Sequence, residues 1–425
     1  MEKRAAITLL YADSEGTIFD HPELEMLAAS GTKLVFPPAA ELIPLPAGSR
    51  LFYLPQCPPM GWDAESGEAV CLDVLEDGEP CCGVAAFLPP AYTRLLLPAV
   101  SYEQKNYQLP LWAYTAVGWS EELGQHVVAA RRVDDNLQWE PDRFDDREVV
   151  AGVDRQLARL SGNRLVRHLS RCAIDYHCFA AKNFFLGRWE CPLPVSPTCN
   201  ARCLGCLSWQ SDSGFEASQE RIAFVPTAKE LVEVALAHLE VAENPVLSFG
   251  QGCEGDPILQ AETICTFARR LRMATDRGTL NVNTNASLPK QVAAMAAAGM
   301  DSIRVSINSP RPETYLPYYR PRGYTFDDVL TSLQEAKDGG MQLAINLLVM
   351  PGVTDDPAEV EALLELVQSY RVDQVQMRNL NIDPQLYLET LNREWGEAMG
   401  IGALIDLLKR ECPGLAIGYF NRYLG

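Results

Sequence analysis

The chain has no apolar stretch that approaches the length of a membrane span. It also lacks a cationic surplus. The formal net charge of its 425 residues is -20, which argues against a general affinity for DNA, RNA or anionic membranes. Met1-Glu2-Lys3-Arg4 is followed by an apolar run too short for the core of a secretory signal, and no cleavage site follows. A cytoplasmic protein is therefore expected. In that compartment the 13 cysteines, an odd number mostly without scaffold spacing, are expected to be reduced thiols rather than disulfides. Past residue 383 there is no cysteine cluster, only Cys412. Residues 1–143 carry no catalytic motif.

What is present is ordinary for a globular chain, with 47% apolar and 22% charged residues, and long enough for two or three domains. Strands are predicted at 5–11, 51–54, 69–74, 83–87, 111–117 and 127–132, with a short helix at 21–29. This is a strand-rich α+β accessory domain over 1–143. Cys81-Cys82 reads as two packed thiols, because vicinal cysteines close no unstrained disulfide. The aromatic stretch 111–119 reads as strand core. A helical linker follows over 144–187, broken at Ser161-Gly162-Asn163. Cys172 and Cys178, with Cys191, could donate to a second cluster, but their spacing matches no tight ligand loop.

From residue 188 the pattern changes. Short apolar runs at 191–195, 246–249, 280–283, 302–307, 342–349 and 374–377 alternate with helical patterns at 228–241, 258–275, 289–298, 326–338 and 357–370. A polar insertion spans 208–226. Such alternation implies a parallel sheet with right-handed crossovers, and its functional loops gather at the carboxyl ends of the strands. Residues 384–425 read as an extension, with a helix at 391–410 interrupted near Gly400 and Gly402 and a strand at 415–420.

The loop after the first strand is Cys199-Asn200-Ala201-Arg202-Cys203-Leu204-Gly205-Cys206. Three clustered thiols select iron–sulfur clusters or zinc. Structural zinc sites and electron-transfer clusters close their shell with four protein ligands, so three leave a corner open for chemistry. The other strand ends are polar: Gly250 to Pro257 after the second, Asn283-Thr284-Asn285 after the third, Ser306 and Asn308 on the fourth, Asn346 on the fifth, Arg378 and Asn379 on the sixth. Together they read as a hydrogen-bonding floor for a polar cofactor. Between fourth strand and helix, Arg311, Tyr315, Tyr318, Tyr319, Arg320 and Arg322 form either an anion-binding lid or arginines stacked on tyrosines at a solvated surface.

The C-x3-C-x2-C loop after a first strand, followed by a glycine-rich acidic turn after the second, resembles the radical S-adenosylmethionine (SAM) superfamily over residues 191–383. That resemblance implies a partial (βα)6 TIM-like barrel as the core. It implies a [4Fe-4S] cluster held by Cys199, Cys203 and Cys206, with SAM on the fourth iron. Gly255 and Asp256 match the turn that meets the SAM amino group. Ser306 and Asn308 match positions that touch ribose or carboxylate, Arg378 and Asn379 the end that meets adenine, and Asn283 and Asn285 stand with them as cofactor contacts. The implied reaction is reductive cleavage of SAM to a 5′-deoxyadenosyl radical that abstracts hydrogen from a small-molecule or peptide substrate. An electron donor such as flavodoxin or ferredoxin is its partner.

The match has two departures. Gly205 stands where the superfamily carries an aromatic residue, and Trp209 is the nearest substitute for adenine stacking. Cys253 lies within the extended turn, either as a hydrogen donor or attachment point or as a bystander. The runs Ser248 to Gly255 and Arg378 to Pro384 are similar to a bacterial subgroup of the superfamily. The competing expectation is a non-catalytic iron–sulfur or zinc protein, a sensor or scaffold, with Cys191 or Cys253 as fourth ligand. A third reading makes the accessory domain a binding module that delivers a peptide or protein substrate.

Overall fold

The computed structural model describes residues 7–75, 78–209 and 217–425. Residues 5–6 of the first expected strand and 210–216 of the polar insertion lie outside that description. No helix among the described residues is long and apolar enough to cross a membrane.

The six expected parallel strands are Glu190–Pro192, Val246–Phe249, Thr279–Thr284, Ser302–Ile307, Gln342–Val349 and Gln374–Asn379, adjacent in that order and all parallel. A seventh strand, Ala416–Gly418, pairs in parallel with the sixth. The sheet curls into a half-barrel. Its strands are buried on both faces, which is why they read as apolar runs rather than alternating ones. Thr227 and Glu230 form a reciprocal cap on helix Ala228–Leu239, and Asp356 and Asp383 cap helices that begin with proline. The tail beyond the seventh strand turns back into the half-barrel. There Asn421 donates to Glu190 Oε1 (3.0 Å) and Ser248 Oγ (3.2 Å), and Leu424 N to Thr279 Oγ1 (2.8 Å).

Among the described residues, 7–132 form a ten-stranded and a three-stranded antiparallel sheet. The helix expected at 21–29 is instead strand Ile18–Met26, paired with Ile7–Ala12. The register slips there, Thr8 facing Glu25 while Leu9 faces His21. The intervening residues bulge, which accommodates Pro22 without a ladder hydrogen bond, and His21 Nδ1 accepts from Glu23 N and Leu24 N. The strand expected at 111–117 begins only at Val117. The linker forms three helices, Asp146–Arg159, Arg164–Ile174 and Phe179–Leu186. Residues 392–400 are not helical, and helix Ile401–Glu411 starts after Gly400 at φ +92°.

The antiparallel unit docks on the ends of the fifth and sixth parallel strands. Arg94, fully buried, donates to Val349 O (3.1 Å) and Leu380 O (2.9 Å). Thr93 Oγ1 donates to Met377 O (2.7 Å), and Lys105 pairs with Asp383. Burial of a guanidinium is costly unless carbonyls meet its donors; those of Val349, Leu380 and Tyr114 meet the terminal nitrogens of Arg94, while its Nε has no partner. The docking also brings Phe87, Leu88 and Ala113 to the mouth of the half-barrel.

Candidate active site

One cavity of about 450 Å³ opens at the carboxyl ends of the parallel strands. Cys199, Cys203 and Cys206 line it together with Gly255, Asp256, Asn283, Asn285, Ser306, Arg378 and Asn379. Asn308 and Cys253, also expected there, do not.

The cysteine loop hangs on its neighbours by backbone. Arg202 N donates to Tyr319 O (3.0 Å), Leu204 N to Tyr318 O (2.9 Å) and Arg322 N to Asn200 O (2.8 Å). The first two acceptors belong to helix Pro312–Tyr319, whose tyrosines are buried, Tyr315 stacked on Tyr319 at 4.3 Å. The solvated-stack reading of 304–322 does not hold, because Tyr315, Tyr318 and Tyr319 are buried. Tyr318 and Tyr319 pack against the cysteine loop and line the cavity, whereas Arg311 pairs with Glu313, Arg320 Nε returns to Pro317 O (3.2 Å), and neither arginine lines it. Gly205 has a steric reason. A Cβ there would sit 2.9 Å from Asn381 O and 3.2 Å from the Tyr318 hydroxyl, so no side chain fits. Trp209 lies between the guanidinium groups of Arg202 and Arg221, at 5.6 and 5.5 Å, and is not part of the cavity lining.

The glycine-rich turn is held by two carboxylates. Glu254 accepts from Val195 N (2.7 Å) and Ser196 N (3.0 Å) with one oxygen and from Gly250 N (2.7 Å) and Gln251 N (2.8 Å) with the other. It thereby ties the first strand's exit to the second's. Burial pushes its carboxyl up to about 7 against the pull of those donors. Asp256 accepts from Ile258 N (3.0 Å), Thr284 Oγ1 (2.5 Å) and Asn285 N (2.7 Å). Burial raises its carboxyl too. At Gly250 (φ +81°) and Gly255 a Cβ would lie within 1.8 Å of Asn283 O and 1.9 Å of Thr198 O, so the turn lies flat against both neighbouring strand exits.

The expected floor is therefore partly scaffold. Asn283 Nδ2 donates to Gly250 O (3.1 Å), and Asn285 Nδ2 to Asn200 Oδ1 (2.9 Å) inside the cysteine loop. Asn379 accepts from Arg94 N (2.8 Å) and donates to Tyr92 O (3.0 Å), its whole amide spent on the docked antiparallel unit. Asn308 is corrected as a cavity residue: its amide donates to Thr314 O and the Tyr387 hydroxyl, both at 2.9 Å, behind the lining. Cys253 is corrected likewise, 3% exposed and turned toward Cys172. Cys191 is fully buried in the first strand and lies outside the lining.

Two residues were missed from sequence, Arg221 and Arg304. Arg221 donates to Cys206 Sγ (3.6 Å) and Ser208 Oγ (3.1 Å), placing a cation beside the thiols. Arg304 lines the cavity with Arg378, and burial, then the like charge of Arg378, brings its guanidinium down to about 9. Arg304 Nε and Asn346 Oδ1 are buried polar atoms without a partner in the structure. The inward register of the fourth strand, alternating Arg304 and Ser306, was the available signal.

These residues suit a thiol-held cluster with SAM. The thiols share one cavity, glycine backbone replaces side chains beside them, and the polar residues Arg304, Ser306 and Asn346 line the remaining space. Burial pushes Cys199 up to about 12 and Cys203 well above its ordinary value, so loading a metal there displaces protons.

The family model of the Radical SAM superfamily matches residues 193–367. GTP 3',8-cyclase of Streptomyces coelicolor is 28% identical over 181 residues, 40% of this chain and 48% of that protein. GTP 3',8-cyclase of Thermodesulfovibrio yellowstonii is 25% identical over 182 residues, 42% and 53% respectively. The chain spans about half the length of the curated relatives it matches. A radical SAM methyltransferase structure from Sphaerobacter thermophilus superposes with a TM-score of 0.38 at 14% identity, over 54% of this chain and 66% of that one. Residues 193–367 are a radical SAM domain, and through it the chain is a member of the radical SAM superfamily.

Proposed function

We propose that the protein is an enzyme that reductively cleaves SAM and uses the product radical on a substrate bearing an anionic group. The observation that carries this is the convergence of Cys199, Cys203, Cys206 and the Gly250–Pro257 turn on one cavity. When bound, the [4Fe-4S] cluster supplies one electron to SAM, giving methionine and a 5′-deoxyadenosyl radical that abstracts hydrogen. The chain's own part is ligation, orientation and exclusion of water. Cys199, Cys203 and Cys206 hold the cluster, with the Arg221 guanidinium offsetting negative charge at Cys206. The Gly250–Pro257 turn would hold the SAM amino group, and Ser306, Asn346, Arg378 and Asn379 would border its ribose and adenine.

Arg304 and Arg378 carry the substrate reading. They face one cavity from the fourth and sixth strands, and among the described residues neither forms an ion pair, although the Glu190 carboxylate acts on Arg304 from a distance. Arg304 donates to Gln376 Oε1 (3.1 Å), and Arg378 lies 4.1 Å from the Tyr419 ring. Two guanidinium groups that disfavour each other's charge are relieved by an anion between them. A carboxylate or phosphate fits, on a small molecule or a peptide end, and the matched relatives are named for action on GTP. A flavodoxin or ferredoxin supplies the electron in a reducing cytoplasm, where the 13 cysteines stay thiols.

The test is anaerobic reconstitution of the full chain, strong reductant and SAM, with 5′-deoxyadenosine and methionine as readout. Release is expected from the wild type and none from Cys203→Ala. A cluster-loaded wild type that releases neither contradicts the proposal.

A further inference from the structure

Behind the glycine-rich turn, outside the cavity described above, two thiols and an imidazole meet. His168 and Cys172 lie four residues apart on helix Arg164–Ile174, hence on one face. Asn163 starts that helix by accepting from Leu165 N (2.9 Å). The third member, Cys253, comes from the turn, where its carbonyl accepts from Ile222 N (2.8 Å). The two cysteines are 1% and 3% exposed. The ligand atoms of all three residues lie within 4.8 Å of one another, and among the described residues they are the group of three that does so.

The spacing is that of a coordination edge. Zinc–sulfur bonds of about 2.3 Å and zinc–nitrogen bonds of about 2.0–2.1 Å at a tetrahedral angle leave sulfur and nitrogen about 3.6 Å apart. Cys172 Sγ and His168 Nε2 are 3.6 Å apart. A sulfur–sulfur edge of about 3.8 Å follows from the same bond length, inside the observed limit. A lone thiol–imidazole hydrogen bond accounts for two of these groups. Cys253 extends that bond into a chain through Cys172, and it is the convergence of three soft donors from two elements within 4.8 Å that suits a cation.

We propose that His168, Cys172 and Cys253 bind one zinc-class divalent cation. Its fourth position is filled by solvent from the adjoining cavity of about 360 Å³, which His168 lines with Arg164, Arg171 and Tyr176. Binding replaces the two thiol protons with two metal–sulfur bonds and is redox-neutral. The cation joins the linker helix to the turn one residue before Glu254. Of the cysteines Cys172, Cys178 and Cys191, only Cys172 belongs to this set, and its partners are His168 and Cys253.

The inference does not rest on SAM chemistry, and its test uses neither SAM nor turnover. The full chain carrying Cys199→Ala, Cys203→Ala and Cys206→Ala, which removes the competing thiols, is titrated anaerobically with Co²⁺. One equivalent with a thiolate-to-cobalt charge-transfer band, displaced by Zn²⁺, is expected. Adding Cys172→Ser and Cys253→Ser abolishes the band, and His168→Gln weakens uptake about tenfold or more. As a second route with the cysteine loop intact, cluster-loaded wild type is expected to retain one zinc per chain, and the His168→Gln form to lose it. Absence of the band, its survival in the Cys172→Ser Cys253→Ser form, or a Cys172–Cys253 disulfide in anaerobically prepared protein overturns the proposal.

Discussion

The two walls of the central cavity are built on opposite principles. On the side of the first three strands nearly every polar side chain is already spent. Glu254 takes four backbone N–H groups, Asp256 takes three donors, and Asn283 and Asn285 bind neighbouring loops. On the side of the fourth to sixth strands Asn379 is spent on the docked antiparallel unit, but Arg304 and Asn346 keep buried polar atoms without partners, and Arg378 lies over the Tyr419 ring. One wall is a finished frame that fixes three thiols and a flat turn. The other is left unsatisfied, a cost a protein retains where a ligand repays it.

The sharpest way to break that comparison is to damage the frame. Glu254→Gln keeps the shape but turns one acceptor into a donor, leaving two buried N–H groups facing it. Loss of about 2–4 kcal/mol of stability is expected, measured by urea unfolding, together with weakened SAM binding. The opposite wall is expected to respond in the other way. Arg378→Gln changes stability by less than about 0.5 kcal/mol, leaves SAM cleavage without substrate intact, and raises KM for the anionic substrate about tenfold or more in steady-state assays. Equal stability losses in the two variants would erase the distinction.

A smaller effect tests what stands behind the frame. His238 is fully buried against Trp189 O (3.2 Å), next to the first strand, and burial lowers its imidazole from 6.5 to about 4. Between those values the unfolded chain binds a proton that the folded chain refuses, so stability falls as pH drops below 6.5. His238→Gln removes this contribution. The stability lost by wild type between about pH 6.5 and 5.5 is expected to exceed the variant's loss by about 1 kcal/mol, read from paired denaturation curves.

The two walls also differ in how far they could be read from sequence. The parallel strands were legible because both faces are buried, and the cysteine loop because its spacing is short and local. The frame was not. Whether Asn283, Asn285 or Asn379 serves a ligand or another loop depends on which chain segment lies opposite, and strand-end asparagines look alike before folding. Asn308 looked the same and is committed to Tyr387. Arg304 stands inside the fourth strand rather than at its end, so only its inward register marks it. Phe87, Leu88 and Ala113 reach the cavity only because the antiparallel unit docks through Arg94, a long-range contact no local pattern announces. The strand at Ile18–Met26 was mistaken for a helix because Pro22 and its acidic neighbours resemble a first helical turn. Cross-strand pairing decided otherwise.

On the proposed reading, three thiols and an unsatisfied wall leave one metal corner for SAM. Electron paramagnetic resonance of the reduced, cluster-loaded protein with and without SAM addresses it most directly. The account predicts a cluster signal that changes in g-values and line shape when SAM is added. A signal indifferent to saturating SAM would contradict it and return the cysteine loop to a closed, non-catalytic centre.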